Sequence, residues 1–221
     1  MHGPSDTSPN PSPSPGPDPE IPPGTPLADL RERIASRRAR VAVVGLGYVG
    51  LPLAGAVHDS GFPVIGFDTD PEKITRLGRA DPYLTHLGQA LHDTLAASDR
   101  FTPTSDPADL ARADIIVLCV PTPLGPHRDP DLSFVERSAQ TIAATLRPGQ
   151  LIVLESTTYP GTTRELVAPI LARATDLVMG RDFAVAYSPE REDPGRETMD
   201  TAQIPKLVGG LGDAGGPLAR A

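Results

Sequence analysis

The sequence predicts an α/β domain, a doubly wound, mostly parallel sheet with helices on both faces, on three observations. From Arg40 onward, short apolar runs alternate with helical patterns, which favours parallel strands joined by covering helices. The run Asp114-Ile-Ile-Val-Leu-Cys-Val120 is almost wholly apolar, as a strand buried on both faces should be. The run Val41 to Val44 feeds into Gly45-Leu46-Gly47-Tyr48-Val49-Gly50 and then a helical pattern, so a glycine turn joins a strand to a helix. That junction makes the expected fold Rossmann-type.

Taken in order, residues 1–26 are crowded with proline and serine and have almost nothing apolar to bury, so a disordered, partly polyproline-II tail is expected. A helix over 27–40 puts Leu27, Leu30 and Ile34 on one face and Arg31, Arg33, Arg37 and Arg38 on a solvated one. Strand 41–45 and helix 48–60 follow, then strand 63–68 and a helix over 71–79 capped by Asp70-Pro71. A helix over 86–97 precedes a strand at 101–104, a turn or two of helix at 107–111 and the central strand 114–120. A helix over 131–146 stops at Arg147-Pro-Gly149, a strong terminator. Strand 151–154, a helix over 162–174 capped by Thr162 or Thr163, strand 183–187 and a short strand at 206–208 complete the domain at 27–210. The segment 211–221 carries no evident closing helix.

Composition narrows the function classes. A formal net charge of −8 argues against a general nucleic-acid or bilayer binder, whose surfaces are normally basic. One cysteine among 221 residues forms no internal disulfide and no thiolate cluster, and the five histidines lack metal-ligand spacing, so no metal site is expected. With no apolar run of spanning length and no signal-peptide core, the expectation is a soluble, cytoplasmic protein.

The candidate site lies where such sheets bind ligands, at the carboxyl ends of the strands. Gly45 allows the tight turn, Gly47 lets backbone approach a pyrophosphate, and Gly50 lets helix and strand pack closely. The helix opening near Tyr48 and Val49 aims its leading N–H groups at the phosphates. Asp68 ends the second strand, where an acid accepts hydrogen bonds from ribose hydroxyls and repels a 2′-phosphate, so NAD rather than NADP is expected. The central strand delivers Val120-Pro121-Thr122-Pro123-Leu124, a rigid turn with one hydroxyl that is either held against the cofactor or a plain proline-rich loop. The next strand delivers Glu155-Ser156-Thr157-Thr158-Tyr159-Pro160-Gly161-Thr162, leaving Ser156 and Thr157 for the cleft once the helix cap is assigned. Strand 183–187 delivers Ser188-Pro189-Glu190-Arg191-Glu192-Asp193, read equally well as a solvated salt-bridge loop or an active-site edge. Cys119 sits inside an apolar strand and reads as an inert buried thiol.

These motifs, in this order, resemble the UDP-glucose/GDP-mannose dehydrogenase family, which oxidises a nucleotide sugar at C6 from alcohol to acid with two NAD-dependent steps. The resemblance rests on Val43-Val-Gly-Leu-Gly-Tyr-Val-Gly-Leu-Pro-Leu-Ala54, Val120-Pro-Thr-Pro-Leu124, Glu155-Ser-Thr-Thr-Tyr-Pro-Gly-Thr162, Tyr187-Ser-Pro-Glu-Arg-Glu-Asp-Pro-Gly195 and Ile204-Pro-Lys-Leu-Val-Gly-Gly210. The Ser-Pro-Glu-Arg-Glu-Asp-Pro-Gly wording is similar to the branch acting on UDP-N-acetylhexosamines. The resemblance implies that the glycines, Asp68 and Lys73 hold the dinucleotide and that Pro121, Thr122 and Ser156 line it. It further implies that Thr157 holds a water near the reacting centre and that Glu190 assists proton transfer and hydrolysis. The family's nucleophilic cysteine, in a Gly-Gly-x-Cys context, and its oxyanion-binding lysine and asparagine have no counterpart in these 221 residues. The chain is therefore expected to be the cofactor half of such an enzyme and inactive alone, with 211–221 leading toward a central helix and substrate domain. A homodimer is expected for the full-length family member. The alternatives are a non-catalytic dinucleotide or nucleotide-sugar binding module, and a dehydrogenase of the 6-phosphogluconate type, which the hydroxyl and Ser-Pro-Glu clusters fit poorly.

Overall fold

The computed structural model describes residues 21–84, 87–125, 129–190 and 206–221. Seven strands form one sheet in the order β3-β2-β1-β4-β5-β6-β7. They are β1 (Val41–Val44), β2 (Val64–Phe67), β3 (Phe101–Thr104), β4 (Ile115–Leu118), β5 (Gln150–Leu154), β6 (Phe183–Tyr187) and β7 (Gly209–Leu211). Neighbours pair in parallel except β7, which runs antiparallel to β6. The strand order reverses at β1, between β2 and β4, which opens a crevice at their carboxyl ends.

The helices are α1 (Pro26–Ala35), α2 (Gly50–Asp59), α3 (Pro71–Gly78), α4 (Gly88–Ala97), α5 (Ser133–Ala143), α6 (Ala168–Arg173) and α7 (Gly212–Arg220). Side chains alternate across the sheet. Val41, Val43, Val117 and Val153 face one core with α1, α2 and α7; Ala42, Val44, Leu118 and Leu154 face the other with α5 and α6. Capping follows the local sequence: Thr25 and Asp70 each accept a first-turn N–H, and proline fills the next position.

Several expectations need correction. The first helix ends at Ala35 instead of 40, because Arg37 takes a positive φ of 59° that breaks the helix. The expected solvated arginine face is also wrong for Arg33, whose Nη1 bonds Asp114 Oδ1 at 2.7 Å. The tail drawn through residue 26 stops short of Ile21, which is buried in the core beside α1; residues 1–20 lie outside the described residues. The last strand falls at Gly209–Leu211, not 206–208. The segment 211–221 does form a closing helix, α7, with Ala214 and Leu218 buried against the sheet. Its glycines explain both the misreading and the fit. A Cβ added at Gly215 would stand 2.2 Å from the Val185 carbonyl oxygen, so only glycine lets the helix lie directly on β6.

Candidate dinucleotide site

The glycine turn takes its shape from three different constraints. Gly45 has φ +92°, and a Cβ there would meet the Cys119 carbonyl oxygen at 2.7 Å. At Gly50 an added Cβ would stand 1.9 Å from the Gly45 carbonyl oxygen, so the first turn of α2 rests on the end of β1. At Gly47 an added Cβ would meet nothing within 4 Å, and this residue lines the cleft. The rim of the turn is thus bare where the expected pyrophosphate approaches. The helix starts at Gly50 rather than 48, with Val49 as its cap residue. The Leu51 N–H closes onto the Gly47 carbonyl at 3.0 Å. The N–H groups of Tyr48 and Val49 therefore belong to the leading edge, where the helix dipole favours anions.

Asp68 stands at the end of β2, buried, with a largely committed carboxylate. Its Oδ2 accepts from the Leu46 N–H at 2.8 Å and from Lys73 Nζ at 2.9 Å, and its Oδ1 accepts from the Asp70 N–H at 3.0 Å. An ionised carboxylate offers about four acceptor positions. One position on Oδ1 remains for a ribose hydroxyl, and Lys73 fixes the carboxylate while balancing its charge.

The other strand ends are stitched to one another. Thr122 donates its hydroxyl to the Thr157 carbonyl at 2.6 Å, and Ser156 donates to the Val120 carbonyl at 2.9 Å. Both expected cofactor-lining hydroxyls thus brace the cleft floor, while Thr157 itself is exposed to the cleft. Thr162 occupies the expected cap position but donates to the Tyr159 carbonyl at 2.9 Å, and the following turn, Thr163–Val167, is a π-helical one leading into α6. Cys119 lines the same cleft but is buried, and burial pushes its thiol up to about 12, so it stays protonated and inert.

Every expected site residue except Gly50, which lies buried beneath the turn, lines one cleft of about 530 Å³. A second cavity of about 1190 Å³ shares Gly45, Asp68, Lys73, Val120 and Pro121 with it, so the two are the ends of one trough across the switch point. At one end stand Thr69, Phe134 and Arg137; at the other, Thr157 and Glu190. Glu192 and Asp193 lie outside the described residues.

Four participants were not singled out from the sequence. Glu155, buried at the end of β5, lines the cleft and bonds Lys206, whose ammonium burial shifts below its ordinary pKa. An acid ending an apolar run was the visible signal for Glu155, whereas Lys206 is joined to it only by folding. Phe134 and Arg137, the latter stacked 4.8 Å over the former, look from sequence like any exposed helix pair.

Comparison with known proteins identifies the domain. Residues 39–218 match the model described as UDP-glucose/GDP-mannose dehydrogenase family, NAD binding domain. The chain is 36% identical over 182 residues to UDP-N-acetyl-D-mannosamine dehydrogenase of Pyrococcus horikoshii, covering 81% of this chain and 43% of that one. It is 34% identical over 171 residues to UDP-N-acetyl-D-glucosamine 6-dehydrogenase of Pseudomonas aeruginosa, covering 77% and 40%. The crystal structure of NDP-N-acetyl-D-galactosaminuronic acid dehydrogenase from Methanosarcina mazei superposes with a TM-score of 0.77 at 31% identity, over 86% of this chain and 43% of that one. The chain thus spans about two fifths of the length of these relatives.

Proposed function

The chain belongs to the UDP-glucose/GDP-mannose dehydrogenase family and carries its NAD-binding domain, and from that premise we propose that it is the cofactor half of a nucleotide-sugar 6-dehydrogenase acting on a UDP-N-acetylhexosamine. The observation that carries the reading is the bare Gly47 rim, held between two sterically locked glycines, with a fixed acid in the shared middle of the trough and Thr157 and Glu190 at one end. The sugar class is inferred from relatives that are themselves UDP-N-acetylmannosamine and UDP-N-acetylglucosamine dehydrogenases.

NAD, when bound, supplies the hydride acceptor for an alcohol-to-acid oxidation. The N–H groups of Gly47, Tyr48 and Val49 hold the pyrophosphate, and Asp68 Oδ1 takes a ribose hydroxyl. Lys73 keeps that carboxylate in place. Pro121, Thr122 and Ser156 form the rigid floor that orients the cofactor toward Thr157. Thr157 holds a water, and Glu190 accepts or returns a proton at the reacting end. The one thiol, Cys119, is buried at the cleft wall and stays protonated, so it does not serve as the nucleophile. The 221-residue chain alone is accordingly assigned cofactor binding without turnover.

The test is an absorbance assay for NADH with NAD and either UDP-N-acetylglucosamine or UDP-N-acetylmannosamine. The expected result is no NADH from the 221-residue chain although NAD binds, and weaker binding of NADP than of NAD. NADH production would overturn the assignment of cofactor binding without turnover, and tighter binding of NADP would overturn the role of Asp68.

A further inference from the structure

Between α3 and α4 the chain passes beside the glycine turn, and Tyr83 in this connection donates its Oη–H to the Leu46 carbonyl at 2.7 Å. Leu46 lies between Gly45 and Gly47, with its side chain wholly buried and its N–H donated to Asp68 Oδ2 at 2.8 Å. The residue inside the turn is therefore gripped by both backbone groups from two elements. Asp68 comes from the end of β2, and Tyr83 from the connection beyond α3.

The peptide plane turns this grip into a consequence for the neighbouring residue. The Leu46 carbonyl and the Gly47 N–H belong to one planar trans unit and point in opposite directions. With the carbonyl held toward Tyr83, the Gly47 N–H is directed away from it. Tyr83 is itself braced: the Arg76 guanidinium lies 5.9 Å over its ring, and His92 meets it edge-on at 5.8 Å and 86°. His92 in turn is tied through Nδ1 to the Gly88 carbonyl at 3.0 Å. Burial, then the charges of Asp68 and Asp70, raise the phenol above its ordinary pKa, so Oη remains a donor.

We propose that Tyr83 is a positioning residue for the dinucleotide pyrophosphate, holding the Leu46–Gly47 peptide so that the Gly47 N–H is presented to the ligand. This rests on the NAD-binding reading above. Tyr83 touches the turn and not the cleft, so it acts through Gly47. Preorganisation of this kind favours ligands that carry the phosphates and leaves the bare nucleoside unaffected.

The test is Tyr83→Phe, which removes one oxygen and keeps the ring, titrated with NAD, ADP and adenosine beside the unchanged chain. The expected result is about a 3- to 10-fold loss of affinity for NAD and ADP, the scale of one hydrogen bond, with adenosine unchanged. Unchanged NAD and ADP binding, or an equal loss for adenosine, overturns the proposal. Backbone NMR without ligand provides the second readout: the Leu46 carbonyl carbon and the Gly47 amide nitrogen, the two ends of the held peptide, shift in Y83F while those of Val43 and Val117 in the sheet do not. Unshifted Leu46 and Gly47 resonances overturn the grip. If the unchanged chain binds no NAD, the functional reading fails, and the resonance shifts still decide whether Tyr83 holds the turn.

Discussion

Cys119 and Asp68 show how surroundings fix what a residue does. The folded state keeps the Cys119 proton up to about 12, against 9.0 for an unperturbed thiol. Between those values the folded chain binds more protons than the unfolded one, so stability falls as pH rises. Chemical denaturation across this window is expected to show a steeper loss for the wild type than for Cys119→Ala, by at most about 1.4 kcal/mol per pH unit. Iodoacetamide at pH near 8 is expected to leave the thiol unmodified until the chain unfolds. Asp68 carries three hydrogen bonds, one from an ammonium. Asp68→Asn removes the charge those donors are set around, so NAD affinity is expected to fall about tenfold or more by calorimetry, the scale of a hydrogen bond to a charged group. Unchanged affinity would detach the acid from ribose recognition.

Among the elements, the attachment of α1 is the clearest case of a contact that sequence could not reveal. Asp114, at the amino end of β4, accepts from Arg33 of α1 and Arg147 at 2.7 Å each and from the Arg40 N–H at 2.9 Å. Arg33 looks like one of four surface arginines because its partner lies 81 positions away. Asp114→Ala is expected to cost about 2 to 3 kcal/mol in denaturant, less than a fully buried pair because both arginine side chains keep about a third of their surface in water. A cost below about 0.5 kcal/mol would make the cluster an ordinary surface pair. α7 was hidden for another reason: Gly215-Gly216-Pro217 reads as a breaker. The packing inverts that reading, since Gly215 lets the helix touch the β6 backbone. Gly215→Ala should therefore destabilise by about 1 to 3 kcal/mol through overpacking, despite its higher helix propensity, and a stabilised variant would refute the contact.

At the scale of the whole molecule, the doubly wound, mostly parallel sheet and the position of the trough were legible because both follow from a few strong rules. Apolar runs such as 114–120 announce central strands, and a glycine turn between strand and helix announces the switch point. The bounds of α2 and α5 follow from such runs and caps only to within a few residues, because ends are set by tertiary contacts that the local pattern does not contain. Gly45, Gly47, Asp68, Ser156 and Thr157 line one cleft, whereas Tyr83 and Lys206 became visible only once distant segments met. The proposed NAD site turns on the bare Gly47 rim, where the pyrophosphate would be received. The direct measurement is calorimetric titration of NAD into the 221-residue chain and into Gly47→Val, a site where an added Cβ meets no atom within 4 Å. The expected result is saturable binding, micromolar to millimolar, by the unchanged chain, and loss of that binding in a variant whose thermal stability is retained. Equal binding by both chains, or none by the unchanged one, would contradict it.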